Sequence, residues 1–452
     1  MADYKKKTVK KASAPKKVKA GGKKLSSFST VKKQETADKK SRDIKMNSAP
    51  GKPKAKTAAQ PKKTANSRQR RSFDAKGKLK LLMGKKGQIQ KKRIFIYAVC
   101  FLLALSILLF VVLTPTGPFE YIENKINAMG SGSFPKSIEG SELYDAYASG
   151  SVIYTLSDTN AEIYNFSGKQ IFSRQHDFNA PMLSTSSQRA LLYDAGGKNI
   201  YVYNYGDVVD EIKTKREIYC ADISRNGTIA IATKSDSYAS EVQVLSKGGS
   251  VKFIWYSATE IINNVALSNN GKRLAVSTVD TSGGNFKSKV YIFKYSSAEP
   301  VHVFSYDDTV VYSLNTVSSK RFSVVTDKTV DFIKWKGGAR NQSVNTYSLN
   351  LYRICGSKNI AVRGNKSNNT ITVFSSTGKT VAEFEFLGAV NDVSYKSGRI
   401  FVLSDGYLYT LDKTGKSVYD KVNLSGFSRI FAEDSNTVVA AGNFGFDKFN
   451  WK

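Results

Sequence analysis

The chain has two histidines, His176 and His302, and three cysteines, Cys100, Cys220 and Cys355, so its supply of nucleophiles and metal ligands is thin. His176 lies in FSRQHDF and His302 in VHVFSYD, both patterned as or beside outer strands, where a structural role is predicted. No H-E-x-x-H, G-x-S-x-G, phosphate-loop or zinc-type Cys/His spacing is present, and neither a metal nor a cofactor is expected. Paired carboxylates could do acid/base work on a glycan. Asp307-Asp308 and Glu433-Asp434 are candidates that fall at predicted loops or inner-strand ends, and their spacing does not show which acids converge. Asp158, Asp194 and Asp405 are read as turn residues bonded to local backbone. Asn165, Asn226 and Asn423 open N-x-S/T triplets of the kind that polar loops generate by chance. The chemistry that remains is binding. Trp255, Tyr256 and Tyr306, predicted at loops and strand ends, are candidate partner contacts.

These residues belong to the second of two dissimilar parts. Ile94 to Leu113 is a twenty-residue run without a charged side chain, long enough at 1.5 Å per residue for the roughly 30 Å hydrocarbon layer. The net charge of +32 is concentrated before it: residues 1–93 hold 32 of the 69 Lys/Arg and five acids. Lys85, Lys86, Lys91, Lys92 and Arg93 precede the run, and no basic residue follows until Lys125. The positive-inside rule then predicts a single-pass signal anchor in the cell membrane, with the N-terminus cytoplasmic and the C-terminal domain extracellular. A cleaved signal peptide has a shorter lead, a shorter apolar core and a small-residue cleavage pattern. The domains predicted are a disordered Lys-rich tail (1–75), a basic juxtamembrane segment (76–93), the span (94–113), a short helix and flexible linker (114–133) and an extracytoplasmic domain (134–452).

The tail lacks the apolar side chains to offset its ordering entropy. It could meet anionic lipid at the inner leaflet, act as a solvated spacer, or bind nucleic acid without specificity. Base recognition is not expected, because its aromatic residues are only Tyr4, Phe28 and Phe73. Residues 76–93 could lie on the inner membrane surface or form a solvated linker. Phe119, Ile122, Ile126 and Met129 recur at helical spacing and predict about three amphipathic turns, packed on the domain or resting on the outer leaflet.

From Phe134 onward, short alternating strands separated by Gly, Asn and Ser turns repeat. SGRIFVLSDGYLYTLDKTGKSVY (397–419) reads as strand, Asp405-Gly406 turn, strand, turn and strand. Equivalent strand positions fall at Val152, Leu191, Ile229, Leu274, Phe322, Ile360, Ile400 and Val438, about 41 residues apart, the period of four-stranded propeller blades. The fold class predicted is all-β, an eight-bladed β-propeller of four-stranded blades. The last module lacks its outer strand, and Phe134–Glu139 is predicted to supply it, closing the ring and removing an open edge. Cys220 and Cys355 are placed at one strand position three blades apart, beyond the roughly 7 Å limit for a disulfide. Both are expected to be buried and reduced.

The 397–419 stretch resembles the repeat of PQQ-type and BamB-like propellers. Gly398, Phe401, Val402, Asp405, Gly406, Leu408, Tyr409, Leu411, Asp412, Thr414 and Gly415 match its pattern, with Tyr419 where Trp is usual. The layout also looks like uncharacterised single-pass, membrane-anchored propeller proteins of Gram-positive bacteria. The quinone enzymes of that superfamily use adjacent cysteines and a calcium site; this chain has no adjacent cysteines, so a quinone is not expected. The function expected is a membrane-anchored extracytoplasmic binding or scaffold module for a protein, peptide or cell-envelope polymer. The alternatives are an extracellular glycan- or peptide-cleaving enzyme, or a transmembrane coupler.

Overall fold

The computed structural model describes residues 75–113, 117–338, 340–345 and 348–451. The tail expected to be disordered lies, up to residue 74, outside the described residues.

One helix, α1 (Ala75–Leu113), contains the apolar run. Its Lys92–Val111 stretch is long and apolar enough to cross a membrane, and none of it is buried in the fold. The helix continues without interruption through the basic segment 76–93, which sequence reading treated as separate. A second helix, α2 (Pro118–Asn127), starts with proline in its first turn, where the missing N–H has no intrahelical partner to lose.

The remainder is an eight-bladed β-propeller. Seven four-stranded antiparallel sheets and a three-stranded one follow in chain order at 143–175, 181–213, 218–257, 261–307, 311–345, 349–387, 390–423 and 429–450 (blades 1 to 8). The first strands lie innermost, those of blades 1 to 5 and of blades 6 to 8 against one another in succession. All eight sequence-predicted positions fall on the second strands. Those strands are apolar on both sides because they are covered on both: Val152–Ser157 and Thr437–Gly442 are buried throughout. The core is accordingly a ring of eight apolar clusters, each shared by two adjacent blades. Ala146, Ile153 and Tyr164 of blade 1 pack with Phe431, Val439 and Phe446 of blade 8, so the seam is as apolar as any other interface.

The spare segment does reach blade 8. Lys136 exchanges two backbone hydrogen bonds with Phe446, at 2.9 and 2.7 Å, beside the third strand. Asp405 and Gly406 both have positive φ (49° and 74°), as the two-residue hairpin requires. The third strand expected after Gly415 is reduced to a bridge from Ser417 to Leu411 and a two-residue strand, Val422–Asn423. Tyr419 instead stacks on Trp451 of blade 8, with centroids 6.1 Å apart, and its hydroxyl donates to Asn436 Oδ1. The aromatic residue standing at the usual Trp position thus joins two blades.

Candidate functional site

The inner strands carry the features that repeat with a consequence for function. Six of the eight contain a β-bulge near their start, at Tyr144, Tyr219, Asn263, Tyr312, Asn350 and Asn391. A bulge places two residues opposite one and re-aims the extra side chain. The three asparagines use this geometry to bond adjacent backbone: Asn263 Nδ2 donates to the Val311 carbonyl, Asn350 Nδ2 to that of Gly364, and Asn391 Oδ1 accepts the Asp405 N–H. Of the tyrosines, Tyr144 and Tyr312 stay in solvent, 45 and 58 % exposed. Met182 and Ile261, near the starts of the inner strands of blades 2 and 4, are exposed as well. Together they form an apolar, aromatic rim at one end of the propeller axis.

Below the rim lies a polar belt. Asp392, next after the bulge at Asn391, is buried; it accepts Arg353 Nε of blade 6 at 2.7 Å and the Ile430 N–H of blade 8 at 2.9 Å. Burial pushes its carboxyl up, and Arg353 opposes that. Asp222 repeats the arrangement, accepting Ser184 Oγ of blade 2 and the Leu267 N–H of blade 4, each at 2.7 Å. Desolvation pushes Asp222 up to about 6 despite these bonds. Asp145, next after the bulge at Tyr144, accepts Arg429 Nε across the closing seam and the Tyr147 hydroxyl. Each of these acids therefore ties its blade to a neighbour, and those of blades 3 and 7 do so on both sides. Sequence reading missed the belt. Its signal was available: an Asp inside an otherwise apolar inner strand in YDAY, CADI and NDVSY.

The residues singled out from sequence are scattered. Tyr306 is buried, with its hydroxyl on Asp331 Oδ2, and cannot meet a partner from that position. Trp255 is wedged on Tyr291 and Phe293 in the blade 3–4 core. Tyr256 does face solvent, stacked on Tyr238 with centroids 4.8 Å apart. Both corrections have one cause: outer-strand aromatics fill the wedge between blades, which widens away from the axis. Lys92 and Arg93 lie on α1; Lys85, Lys86 and Lys91 lie on its earlier turns. His176 is buried, with Nε2 3.2 Å from the Ser157 carbonyl oxygen, and desolvation lowers its pKa. Cys220 and Cys355 are unpaired and sit on inner strands three blades apart, but not at one position. Cys220 faces Ala232 across its strand pair, whereas Cys355 ends its strand and is only half-buried. Asp158 and Asp194 bond outside their own turns. Each accepts backbone N–H from the segment leading into the blade's inner strand, at Ser141 and Ala180 respectively. Among the described residues, no group of three or more His, Cys, Asp or Glu could hold a metal ion.

The family described as "Family of unknown function (DUF5711)" matches residues 130–444, which take in blades 1 to 7 and the first two strands of blade 8. The chain belongs to DUF5711. No curated protein matches it. Among solved structures it is similar to BamB from Moraxella catarrhalis (13% identity, TM-score 0.46), over 71% of this chain and 99% of that one. It is also similar to a eukaryotic initiation factor (16%, 0.48; 71% and 91% covered). A third is the Cps50 (Swd1) β-propeller domain of Myceliophteria thermophila (11%, 0.41; 70% and 99%).

Proposed function

We propose that this DUF5711 member is a membrane-anchored scaffold whose propeller, outside the cell, holds a protein, peptide or envelope-polymer segment on the rim formed by Tyr144, Met182, Ile261 and Tyr312. One observation carries the reading: large apolar side chains stand in solvent where the inner strands begin, two of them on bulges. Further exposed residues lie toward the same end: Tyr238, Tyr256, Phe286, Leu387 and Phe444. A soluble monomer has no folding reason to gather such groups, and rigid aromatics anchor interfaces at small entropic cost. Binding is favoured over catalysis because the acids of the belt are held by neighbouring blades. The basic residues before the apolar run support a cytoplasmic N-terminus.

The test places a photo-reactive residue at position 312 of the full-length chain in intact cells. The expected result is a discrete crosslinked species, lost when Tyr144→Ser is added, while the unfolding temperature stays within a degree or two. Crosslinking that is absent, or unaffected by the rim substitution, would sink the proposal.

A further inference from the structure

α2 uses its two faces in reverse. Its polar face is docked on the propeller. Asn124 is fully buried: its Oδ1 accepts the Tyr205 N–H at 3.1 Å, and its Nδ2 donates to Gln188 Oε1. Glu120 pairs with Arg189 of blade 2 and, at 2.5 Å, with Lys247 of blade 3. Lys169 Nζ donates to the carbonyls of Asn127 and Met129, and Asn165 Nδ2 to those of Ala128 and Gly130. The apolar stripe points outward instead: Phe119, Ile122, Ile126 and Met129 are 87, 46, 59 and 64 % exposed. A helix that folds onto a protein in water buries the other side. This one has a second apolar surrounding to meet.

Its position says which. Phe119 lies six residues past Leu113, a reach of at most about 20 Å. The Tyr121 ring packs edge-on against Phe110, within the last turn of the apolar run, at 5.9 Å. The stripe therefore starts level with the end of that run, where hydrocarbon gives way to headgroups. Glu123 and Lys125 flank it, as headgroup-level residues would. All the turns that α2 touches lie on one face of the propeller, the face made by the first and third turns of each blade. Lys and Arg outnumber acids in those turns, with Arg225, Lys272, Lys320, Lys336 and Lys379 among them, whereas acids outnumber bases in the turns of the opposite face. That asymmetry suits anionic lipid.

We infer that α2 is an interfacial wedge: its stripe lies in the extracytoplasmic leaflet while its polar face clasps blades 1 to 3, holding the basic face of the propeller against the bilayer. This rests on the reading that α1 spans the membrane, and it deepens the proposed function. The rim with Tyr144 and Tyr312 is on the opposite face, so it is directed away from the lipid.

The experiment uses the full chain with Cys100, Cys220 and Cys355 replaced by Ser, reconstituted in phosphatidylcholine/phosphatidylglycerol vesicles. A polarity-sensitive dye is attached through Phe119→Cys, Ile126→Cys, Ile107→Cys (within the span) or Phe444→Cys (on the opposite face), one at a time. A melting temperature close to that of the unlabelled chain checks each fold. The expected result is a blue shift and quenching by spin-labelled lipid at 119, 126 and 107, and quenching by aqueous iodide at 444 alone. Lipid quenching at 107 with iodide quenching at 119 and 126 overturns the wedge and leaves the anchor standing. Protection of 119 and 126 from both quenchers also overturns it, because a protein surface then covers the stripe. No lipid quenching at 107 removes the anchor and the wedge together.

Discussion

Asp222 shows how one side chain can set the conditions under which the ring is stable. Its carboxyl is pushed up to about 6 by desolvation, above the ordinary aspartate value. A raised acid pKa in the folded state means the neutral form fits the fold better. The contribution is fully present below about pH 4 and is lost as pH rises through 6. Asp222→Asn should therefore flatten the fall in melting temperature between pH 4 and pH 8 seen in the wild type; parallel curves for the two proteins would contradict this. The ion pair of blades 6 and 7 makes a second prediction. Arg353→Ala leaves Asp392 buried beside the Ile430 N–H without its cation, which should cost about 2–4 kcal/mol in denaturant unfolding. The partial exposure of Arg353 holds the figure to that range. An added Asp392→Leu should recover part of the loss, and a double variant no better than the single one would argue against the pairing as the cause. At this scale the sequence was partly legible. The Asp-Gly turn at 405–406 could be read because its positive φ is a local demand. The burial of Tyr306 could not, since its partner Asp331 belongs to the next blade.

Among the elements, the closing segment and α2 make the sharpest claims. Gly445 has φ of +132°, and a Cβ there would collide with the Lys136 carbonyl oxygen that accepts the Phe446 N–H. Gly445→Ala should loosen the closure and cost about 2 kcal/mol or more. Hydrogen exchange at Phe446 and through the Gly445–Asn450 strand should rise before it rises elsewhere; a uniform increase across all blades would count against a local seam. Asn124→Ala leaves the Tyr205 N–H without its partner under α2 and should cost about 1–3 kcal/mol. Selective protease sensitivity within 117–133 is the corresponding readout. The amphipathic period of α2 was plain from Phe119, Ile122, Ile126 and Met129. Which face packs inward was not, because periodicity reports that two faces differ and says nothing of what each one meets.

Taken whole, the molecule is an apolar helix joined to a ring of eight blades whose two faces differ in charge and in exposed apolar surface. The ring has no dominant central core; it is stabilised at eight interfaces of similar make, and this makes closure a global requirement. The repeat length, the blade count, the apolar run and the charge imbalance around it were determined by the sequence alone, because each is written in contiguous residues as a period, a run or a local excess of Lys. The tertiary structure alone decided that Asp222 and Asp392 clasp the blades on either side, that Tyr144 and Tyr312 share a rim, that Tyr306 is lost to the core and that α2 shows its apolar stripe to the outside. Those outcomes depend on side chains tens to hundreds of positions apart meeting when the ring closes, and no local pattern along the chain encodes such a meeting.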